Sequence, residues 1–284
     1  MEKGMDLKTR RKLLKAKIRS IVALPTVPHI LDKLSKMAAD PAVSVKDMGR
    51  VIEKDQSLTS KILKLANSAF YGFPRRISTV SDAIVLLGFN VVRSLVLCSS
   101  IFEGVEKENV SLWEHSMGTA LVAGSIARKL GHKNPEEVST AALLHDIGKI
   151  IIMNLFRKEY EEIKRMVRLD PGGSLELEEE VLGFNHADIG AILADHWNLP
   201  LTLVEPIETH HNPSASRKLA LESSIVHFSD VLIRALGYAD GVTDIVPAVD
   251  ERAWAVMGLK RHDLIDVVME CEESIIEVKG VSLG

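Results

Sequence analysis

Five histidines and two aspartates in the sequence have the residue types and contexts of metal ligands. His145 and Asp146 are adjacent within ALLHDIGK, residues 142–149. Neighbouring helical positions lie about 100° apart, so both side chains can bind one metal ion, or the carboxylate can bridge two ions. Imidazole and carboxylate ligands together suit Fe, Mn, Zn, Ni or Co, whereas Mg and Ca sites need more oxygen. The candidate metal ligands are His115, His145, Asp146, His186, His210, His211 and Asp230.

The environment of Asp230 indicates that this carboxylate needs a partner. It lies within IVHFSDVLIRAL, residues 225–236, which is largely apolar. Burying an unpaired aspartate there would cost several kcal/mol, so a buried Asp230 implies a cation or a hydrogen-bond network. The alternative is a solvent-facing aspartate on an amphipathic helix.

The other histidines have a simpler interpretation. A single histidine on a helix is more often a partly buried structural residue or a cap than a ligand. His132 follows Gly131 and suits a helix C-terminus, and His227 is at most a neighbour of Asp230 outside the ligand set. The histidines assigned to this structural class are His29, His132, His196, His227 and His262.

The composition limits the classes of partner and the compartment. The chain has 284 residues, a formal net charge of -4 and 46% hydrophobic residues, as in a folded globular protein without general attraction to nucleic acid or anionic lipid. Nucleic-acid binding through the basic first twenty residues and Arg75-Arg76 is the weaker alternative, because no binding motif accompanies them. Only Cys98 and Cys271 occur, and no secretory signal is evident, so a cytoplasmic location is expected.

Helical spacing recurs along the chain, while the alternating pattern of strands is almost absent, so the sequence predicts an all-α protein. Residues 83–102 are the most membrane-like stretch, but Asn90, Arg93 and several serines interrupt it, so a buried core element is expected.

His115 is predicted to open a helix rich in small residues that allow close helix packing. Helix starts are predicted from Ser44 with Asp47, Thr79 with Asp82 and Asn134-Pro135; helix ends are predicted at Gly72, Gly131, Gly148 and Gly237, with Gly88 dividing two helices.

Polar and aperiodic stretches divide the chain into four parts. A basic helix is expected at 1–19, a first helical half at 20–108, the histidine-bearing half at 109–237 and a C-terminal helical extension at 238–284. No role at a membrane is expected for any of these parts.

The order of the candidate ligands resembles that of the HD superfamily of metal-dependent phosphohydrolases. ALLHDIGKI, NHADIGAIL and FSDVL are similar to motifs of its HD-GYP branch. The first half resembles the HDOD family, an HD-related output domain of bacterial signalling, in LPTVP at 24–28, IEKDQSLTSKILKLANSAFYG at 52–72 and ISTVSDAIVLLGFNVVRSLVL at 77–97. This similarity covers roughly residues 20–236. No GxGYP loop follows His210-His211, and Ser111 stands where one HD-GYP subgroup has glutamate, which disfavours cyclic di-GMP hydrolysis and a three-metal site.

The resemblance implies a multi-helix bundle in which an N-terminal helical subdomain packs on an HD-like subdomain. It also implies one or two divalent transition metals. His115, His145, Asp146 and Asp230 would hold one ion, and Asp146, His186, His210 and His211 the other, with Asp146 as the bridge.

Two functions follow from this resemblance. The first is a signalling output module that hydrolyses a phosphoester or nucleotide, with Asp146 and Lys149 in catalytic roles. Lys149 would place its ammonium near a phosphate oxygen, or it is simply a favourable cation at a helix C-terminus. The second is a non-catalytic metal-binding regulatory domain. The expected partners are signalling proteins or a small phosphorylated ligand, without membrane or nucleic acid.

Overall fold

The protein is helical throughout the residues that its computed structural model describes. Those residues are 28–38, 40, 42–68, 71–102, 110–169, 174–243 and 245–278, together with Thr9 and Ala16. No strand occurs among them, so the all-α prediction is confirmed. Apart from Thr9 and Ala16, the basic helix predicted at 1–19 lies outside the described residues.

The N-terminal half is built from helices whose starts follow local capping chemistry. Ser44 and Asp47 form the predicted reciprocal capping box, whereas Thr79 makes a one-sided cap by accepting the Asp82 amide. Gly88, at φ 87°, separates two helices as predicted, because glycine adopts positive φ without strain. The helices of this half are α1 Pro28–Ala38, α2 Val45–Ile52, α3 Gln56–Ala66, α4 Val80–Leu87 and α5 Phe89–Phe102.

The second half is a bundle around one buried helix. Its helices are α6 Val110–Lys129, α7 Pro135–Leu144, α8 Ile147–Leu155, α9 Arg157–Leu169, α10 Ser174–Leu182, α11 His186–His196, α12 Leu201–Thr209, the 3-10 turn Pro213–Ala215, α13 Ala220–Ala235, α14 Glu251–Met257 and α15 Arg261–Val278. The central helix α6 packs against α7, α13 and α15. Its small residues permit this contact, since a Cβ added at Gly118 would lie 2.9 Å from the Ile233 side chain.

The two halves are fastened together by buried polar contacts as well as by packing of α5 on α7. Arg93 is buried and donates from its guanidinium to the backbone carbonyls of Trp197 and Asn198. The Tyr71 hydroxyl lies 3.1 Å from the Thr140 hydroxyl, on the helix that leads to His145. The N-terminal subdomain therefore packs directly on the elements that carry the histidines, as predicted.

One prediction about helix ends is wrong at a position that matters for the site. Gly148 does not end a helix, because α7 ends at Leu144, the chain turns at His145 and Asp146, and α8 begins at Ile147. His145 and Asp146 therefore lie at a helix junction rather than inside one helix. The predicted stops at Gly131 and Gly237 are confirmed, with φ of 66° and 87° after α6 and α13.

Three further local predictions need correction. His115 lies in the second turn of α6, which begins at Val110, because the helix extends back before the first small residue. Gly72 lies in a turn well after α3, since Asn67 already caps that helix. Asn134 precedes α7 without a side-chain capping bond, so the start of α7 depends on Pro135, whose fixed φ suits a first helical position.

Among the described residues, one segment, Pro135–Leu155, is long and apolar enough to cross a membrane by length and composition. Within its most apolar window, 89% of the segment is buried in the bundle, and the His145-Asp146 junction interrupts it. This is the pattern of a core segment, because ionisable residues in a membrane span are costly. The stretch at 83–102 is divided between α4 and α5, and its residues from 91 to 99 are buried as predicted.

Candidate metal centre

The structure brings the seven predicted ligands together inside the second half. All of them except the partly exposed His211 are buried. His115 comes from α6, His145 and Asp146 from the α7–α8 junction, His186 from the start of α11, His210 and His211 from the end of α12, and Asp230 from α13. Five separate parts of the chain thus converge on one point, although the sequence separates the ligands widely.

Asp146 lies between two groups of ligand atoms. On one side its Oδ1 is 3.1 Å from His186 Nε2 and 3.8 Å from His210 Nε2. His211 completes this group, with its Nε2 at 2.8 Å from His186 Nε2. One ligand atom from each of these four residues falls within 4.8 Å of the others, which is close enough to hold one metal ion.

The second group lies on the other carboxylate oxygen of Asp146. Its Oδ2 is 3.4 Å from His145 Nε2 and 3.6 Å from His115 Nε2. His115 Nε2 also lies 3.0 Å from Asp230 Oδ1 and 3.2 Å from His145 Nε2. The sharing of Asp146 by both groups agrees with the arrangement that the resemblance implied, although the ligand roles stay a prediction.

The outer ring nitrogens fix the orientation of four of these histidines. Nδ1 of His115 lies 2.8 Å from the Tyr238 carbonyl, that of His145 2.6 Å from the Ala142 carbonyl, that of His210 2.8 Å from the Ile207 carbonyl, and that of His186 2.7 Å from Glu178 Oε2. A carbonyl can only accept, so Nδ1 must donate in the first three rings. A neutral ring then keeps its lone pair on Nε2, which is the tautomer and support of a metal-binding histidine.

The inward-facing atoms are therefore mainly acceptors without donors. Among the described residues, Asp146 Oδ1 and His210 Nε2 are buried and have no hydrogen-bond partner. His115 Nε2 faces the carboxylates of Asp230 and Asp146 and the Nε2 atom of His145. Buried polar atoms are normally satisfied, so this arrangement calls for a cation in their midst. The residues thus fit a divalent metal ion.

Protonation states favour the same conclusion for most of the cluster. Burial alone would raise the pKa of Asp146, but His145 and Lys149 outweigh it and hold that pKa well below its usual value. Burial and neighbouring positive charge lower the pKa of His210 and of His211, so both rings are neutral. In His186, burial is outweighed by Glu178 and Asp146, which raise the pKa of the ring to about 9. In the absence of a metal ion, the His186 ring therefore carries the extra proton.

Two buried cations and a third carboxylate surround the cluster, and only Lys149 of these was predicted. Lys149 Nζ donates to Asp146 Oδ2 at 2.6 Å and to Asp240 Oδ2 at 2.5 Å. Arg234 donates to Asp230 Oδ1 at 2.8 Å and to Asp240 Oδ2 at 3.0 Å. Asp230 is thus buried against a cation, and the solvent-facing alternative is wrong.

Asp240 explains why the chain after α13 belongs to the site. This carboxylate is buried, and it also accepts the backbone amide of Val242 at 3.0 Å. Tyr238, two residues earlier, provides the carbonyl that orients His115. The expected boundary between 237 and 238 therefore separates residues that act together here.

Sequence reasoning missed Arg234, Asp240 and Glu178. Arg234 had a local signal, because it follows Asp230 by one helical turn and such pairs lie side by side. Asp240 and Glu178 had none, since the first lies in a loop and the second in an acidic run on α10.

The histidines assigned to structural roles lie outside the ligand groups where they are described. His227 does not neighbour the Asp230 carboxylate as a support: its Nδ1 donates to the His210 carbonyl at 2.7 Å, and its Nε2 accepts the Asp250 amide at 3.0 Å. His132 Nε2 lies 3.1 Å from Glu222 Oε1, and His196 and His262 are exposed. The side chain of His29 lies outside the described residues.

Gly148 sets the distance between α8 and α11. A Cβ at this position would lie 1.9 Å from the His186 carbonyl oxygen and 2.9 Å from the Gly190 amide nitrogen. Only glycine allows the two backbones to approach so closely. Because Asp146 precedes Gly148 and His186 begins α11, this contact fixes the position of the shared carboxylate relative to its histidine.

We expect Glu178→Gln to weaken metal binding by roughly 10- to 100-fold, the usual effect of removing a carboxylate that supports a ligand. Glu178 Oε2 accepts both the His186 amide and its Nδ1–H at 2.7 Å, so it orients the ring and makes it more basic. Titration of the metal-free protein with Mn²⁺ and Zn²⁺ against a competing chelator measures the change. The exposed Glu180→Gln is the matched control. Equal affinities in the two variants would show that Glu178 supports no ligand.

Comparison with known proteins finds similarity over most of this chain. A family model described as HDOD domain matches residues 24–213. An HDOD domain protein from Geobacter sulfurreducens is 28% identical, with a TM-score of 0.72 and 97% of each chain covered. A protein from Shewanella amazonensis SB2B, provisionally named a phosphohydrolase, shares the fold with a TM-score of 0.71 at 23% identity, covering 94% of this chain and 97% of the other.

A relative from Treponema pallidum (strain Nichols), named only as an uncharacterized protein, is 27% identical over 250 residues. The match covers 85% of this chain and 48% of the relative. The chain thus spans about half the length of that relative.

Proposed function

The chain belongs to the HDOD domain family, and on that premise we propose that it is a signalling output domain whose histidine cluster holds a divalent transition-metal ion. One observation carries this proposal: buried acceptor atoms of the cluster face each other, with two of them, Asp146 Oδ1 and His210 Nε2, lacking a partner among the described residues. A divalent cation bound among these atoms would provide the partner that each of them lacks. Fe, Mn, Zn, Ni and Co all suit its nitrogen and oxygen ligands.

The charge of the site supports one ion rather than two. Four buried carboxylates, of Asp146, Glu178, Asp230 and Asp240, accompany two buried cations, Lys149 and Arg234, which leaves a net charge of -2 when the histidines are neutral. One divalent ion would neutralise this charge, whereas a second would change it to +2, which is costly in a buried site. Arg234 already lies 2.8 Å from Asp230, so the group of Asp146, His186, His210 and His211 is the better site.

Phosphoester hydrolysis is the second candidate function, and the buried cations favour it. A bound divalent ion would lower the pKa of a water molecule and neutralise negative charge at the phosphorus centre. Lys149 and Arg234, fixed by Asp240, hold two positive charges beside that position, where they would neutralise phosphoryl oxygens. Asp146 would keep the metal in place, and the partly exposed His211 marks the side of the cluster nearest solvent.

The partners and compartment of the domain are proposals of the same kind. We infer that the domain meets signalling proteins or a small phosphorylated ligand in the cytoplasm. The charge of -4 and the HDOD membership support this inference.

Metal-dependent turnover separates the two candidate functions. The protein, purified without a histidine tag and loaded with Mn²⁺, is incubated with bis(p-nitrophenyl) phosphate and a panel of nucleotides. Hydrolysis that exceeds the rate of Asp146→Asn under the same conditions would establish the phosphohydrolase. Bound metal without turnover would reject hydrolysis and leave the metal-binding output domain, and absence of bound metal would reject both.

A further inference from the structure

A groove of about 1000 Å³ lies in the N-terminal half, and none of the candidate metal ligands is among its described lining residues. It runs between the C-terminal part of α3 and the segment that leads into α4, with Lys64 and Asn67 on one side and Phe73, Arg75, Arg76 and Ser78 on the other. Its size is at the upper end of the range of small-molecule sites, about 300 to 1000 Å³. We call it the arginine groove.

The arginine groove has a one-sided charge. Among the described residues that line it, every charged side chain is cationic: Lys64, Arg75 and Arg76. Arg75 and Arg76 are exposed, and neither side chain pairs with a carboxylate among the described residues. Adjacent guanidinium groups in a concave surface concentrate positive potential, which attracts an anion. The groove therefore offers two guanidinium groups that no carboxylate among the described residues occupies.

The wall that carries the arginines is held in place before any ligand arrives. The Asn67 side-chain amide donates to the carbonyls of Leu63 at 2.7 Å and Ile77 at 2.8 Å, and its oxygen accepts the Ile77 amide at 2.7 Å. Tyr71 ties the same segment to α7 through Thr140. A preorganised site needs little ordering on binding, and this lowers the cost of association.

We propose that the arginine groove binds a nucleoside phosphate. Guanidinium groups bind phosphate oxygens in pairs of parallel hydrogen bonds, and Arg75 and Arg76 supply two such groups. The half-buried Phe73 adds an aromatic surface to the same wall, which suits the planar base. The formal charge of the whole chain is -4, so the positive potential is local, and this favours a small anion over a long nucleic acid.

Calorimetric titration of the full chain tests this site. The protein is first freed of metal with EDTA, so that the histidine cluster cannot attract phosphates through an ion. It is then titrated with each of the four ribonucleoside triphosphates. We expect at least one of them to saturate at about one molecule per chain. The double variant Arg75→Gln/Arg76→Gln should weaken that binding by roughly tenfold or more, since it removes both charge-assisted contacts.

The matched control is Arg165→Gln/Arg168→Gln, which removes two exposed arginines from α9 and changes the net charge equally. It should bind as the wild type does, and Phe73→Leu should lower the affinity for nucleotides but not for pyrophosphate. The proposal is overturned if none of the four triphosphates binds. It is also overturned if the groove variant matches its control, or if a tetraglutamate peptide binds as tightly as the nucleotides.

Discussion

Asp146→Asn is expected to abolish metal binding, lowering the metal content from about one ion per chain to less than about a tenth of an ion. Asparagine keeps the size of the side chain but removes the negative charge that faces both ligand groups. Asp146 Oδ1 lies 3.1 Å from His186 Nε2, while its Oδ2 lies 3.4 Å from His145 Nε2. Because Asp146 is shared by both ligand groups, we expect its substitution to lower the metal content more than substitution of any single histidine. Metal analysis by plasma mass spectrometry measures the result.

A second readout separates lost binding from lost folding. Metal that binds only the folded state raises the melting temperature of the wild type, and this rise should vanish in Asp146→Asn. The control is Asp195→Asn on α11, which removes an exposed carboxylate at the end of that helix opposite His186. A folded Asp146→Asn protein with wild-type metal content would exclude Asp146 as a ligand.

Gly148→Ala is expected to destabilise the protein by about 3 kcal/mol or more, corresponding to a fall in melting temperature of roughly 6 °C or more. The added methyl group would lie 1.9 Å from the His186 carbonyl, and a backbone atom cannot rotate away as a side chain can. The helices α8 and α11 must therefore separate, which also draws His186 away from Asp146. Thermal unfolding and metal titration of the same sample measure both effects.

Gly118→Ala provides the contrast for this prediction. Its new methyl group would lie 2.9 Å from the end of the Ile233 side chain, which can adjust its rotamer. We expect a smaller loss of stability and unchanged metal binding. Similar losses in the two variants would mean that the α8–α11 contact has no special role.

The cluster residues could be proposed from sequence because some carry a local signal and the family resemblance supplied the order of the rest. His145 and Asp146 stand together, and Asp230 interrupts an apolar helix that would otherwise bury it without a partner. Helix periodicity likewise predicted the all-α fold, since amphipathic spacing is a property of short windows.

The remaining features depend on how distant parts of the chain meet. Glu178 supports His186 across the α10–α11 connection, and Asp240 reaches Lys149 and Arg234 from a loop whose composition gave no signal. Gly148 shows the limit of local rules. A glycine after an apolar run usually ends a helix, but here the same lack of a side chain serves a close approach between two helices.

Anomalous X-ray diffraction from crystals of the untagged protein, recorded above and below the absorption edge of the metal found in solution, tests the central claim most directly. The account predicts one strong anomalous peak among Asp146, His186, His210 and His211, close to the Asp146 carboxylate. A peak at the protein surface, or none in crystals grown with excess metal, would contradict it.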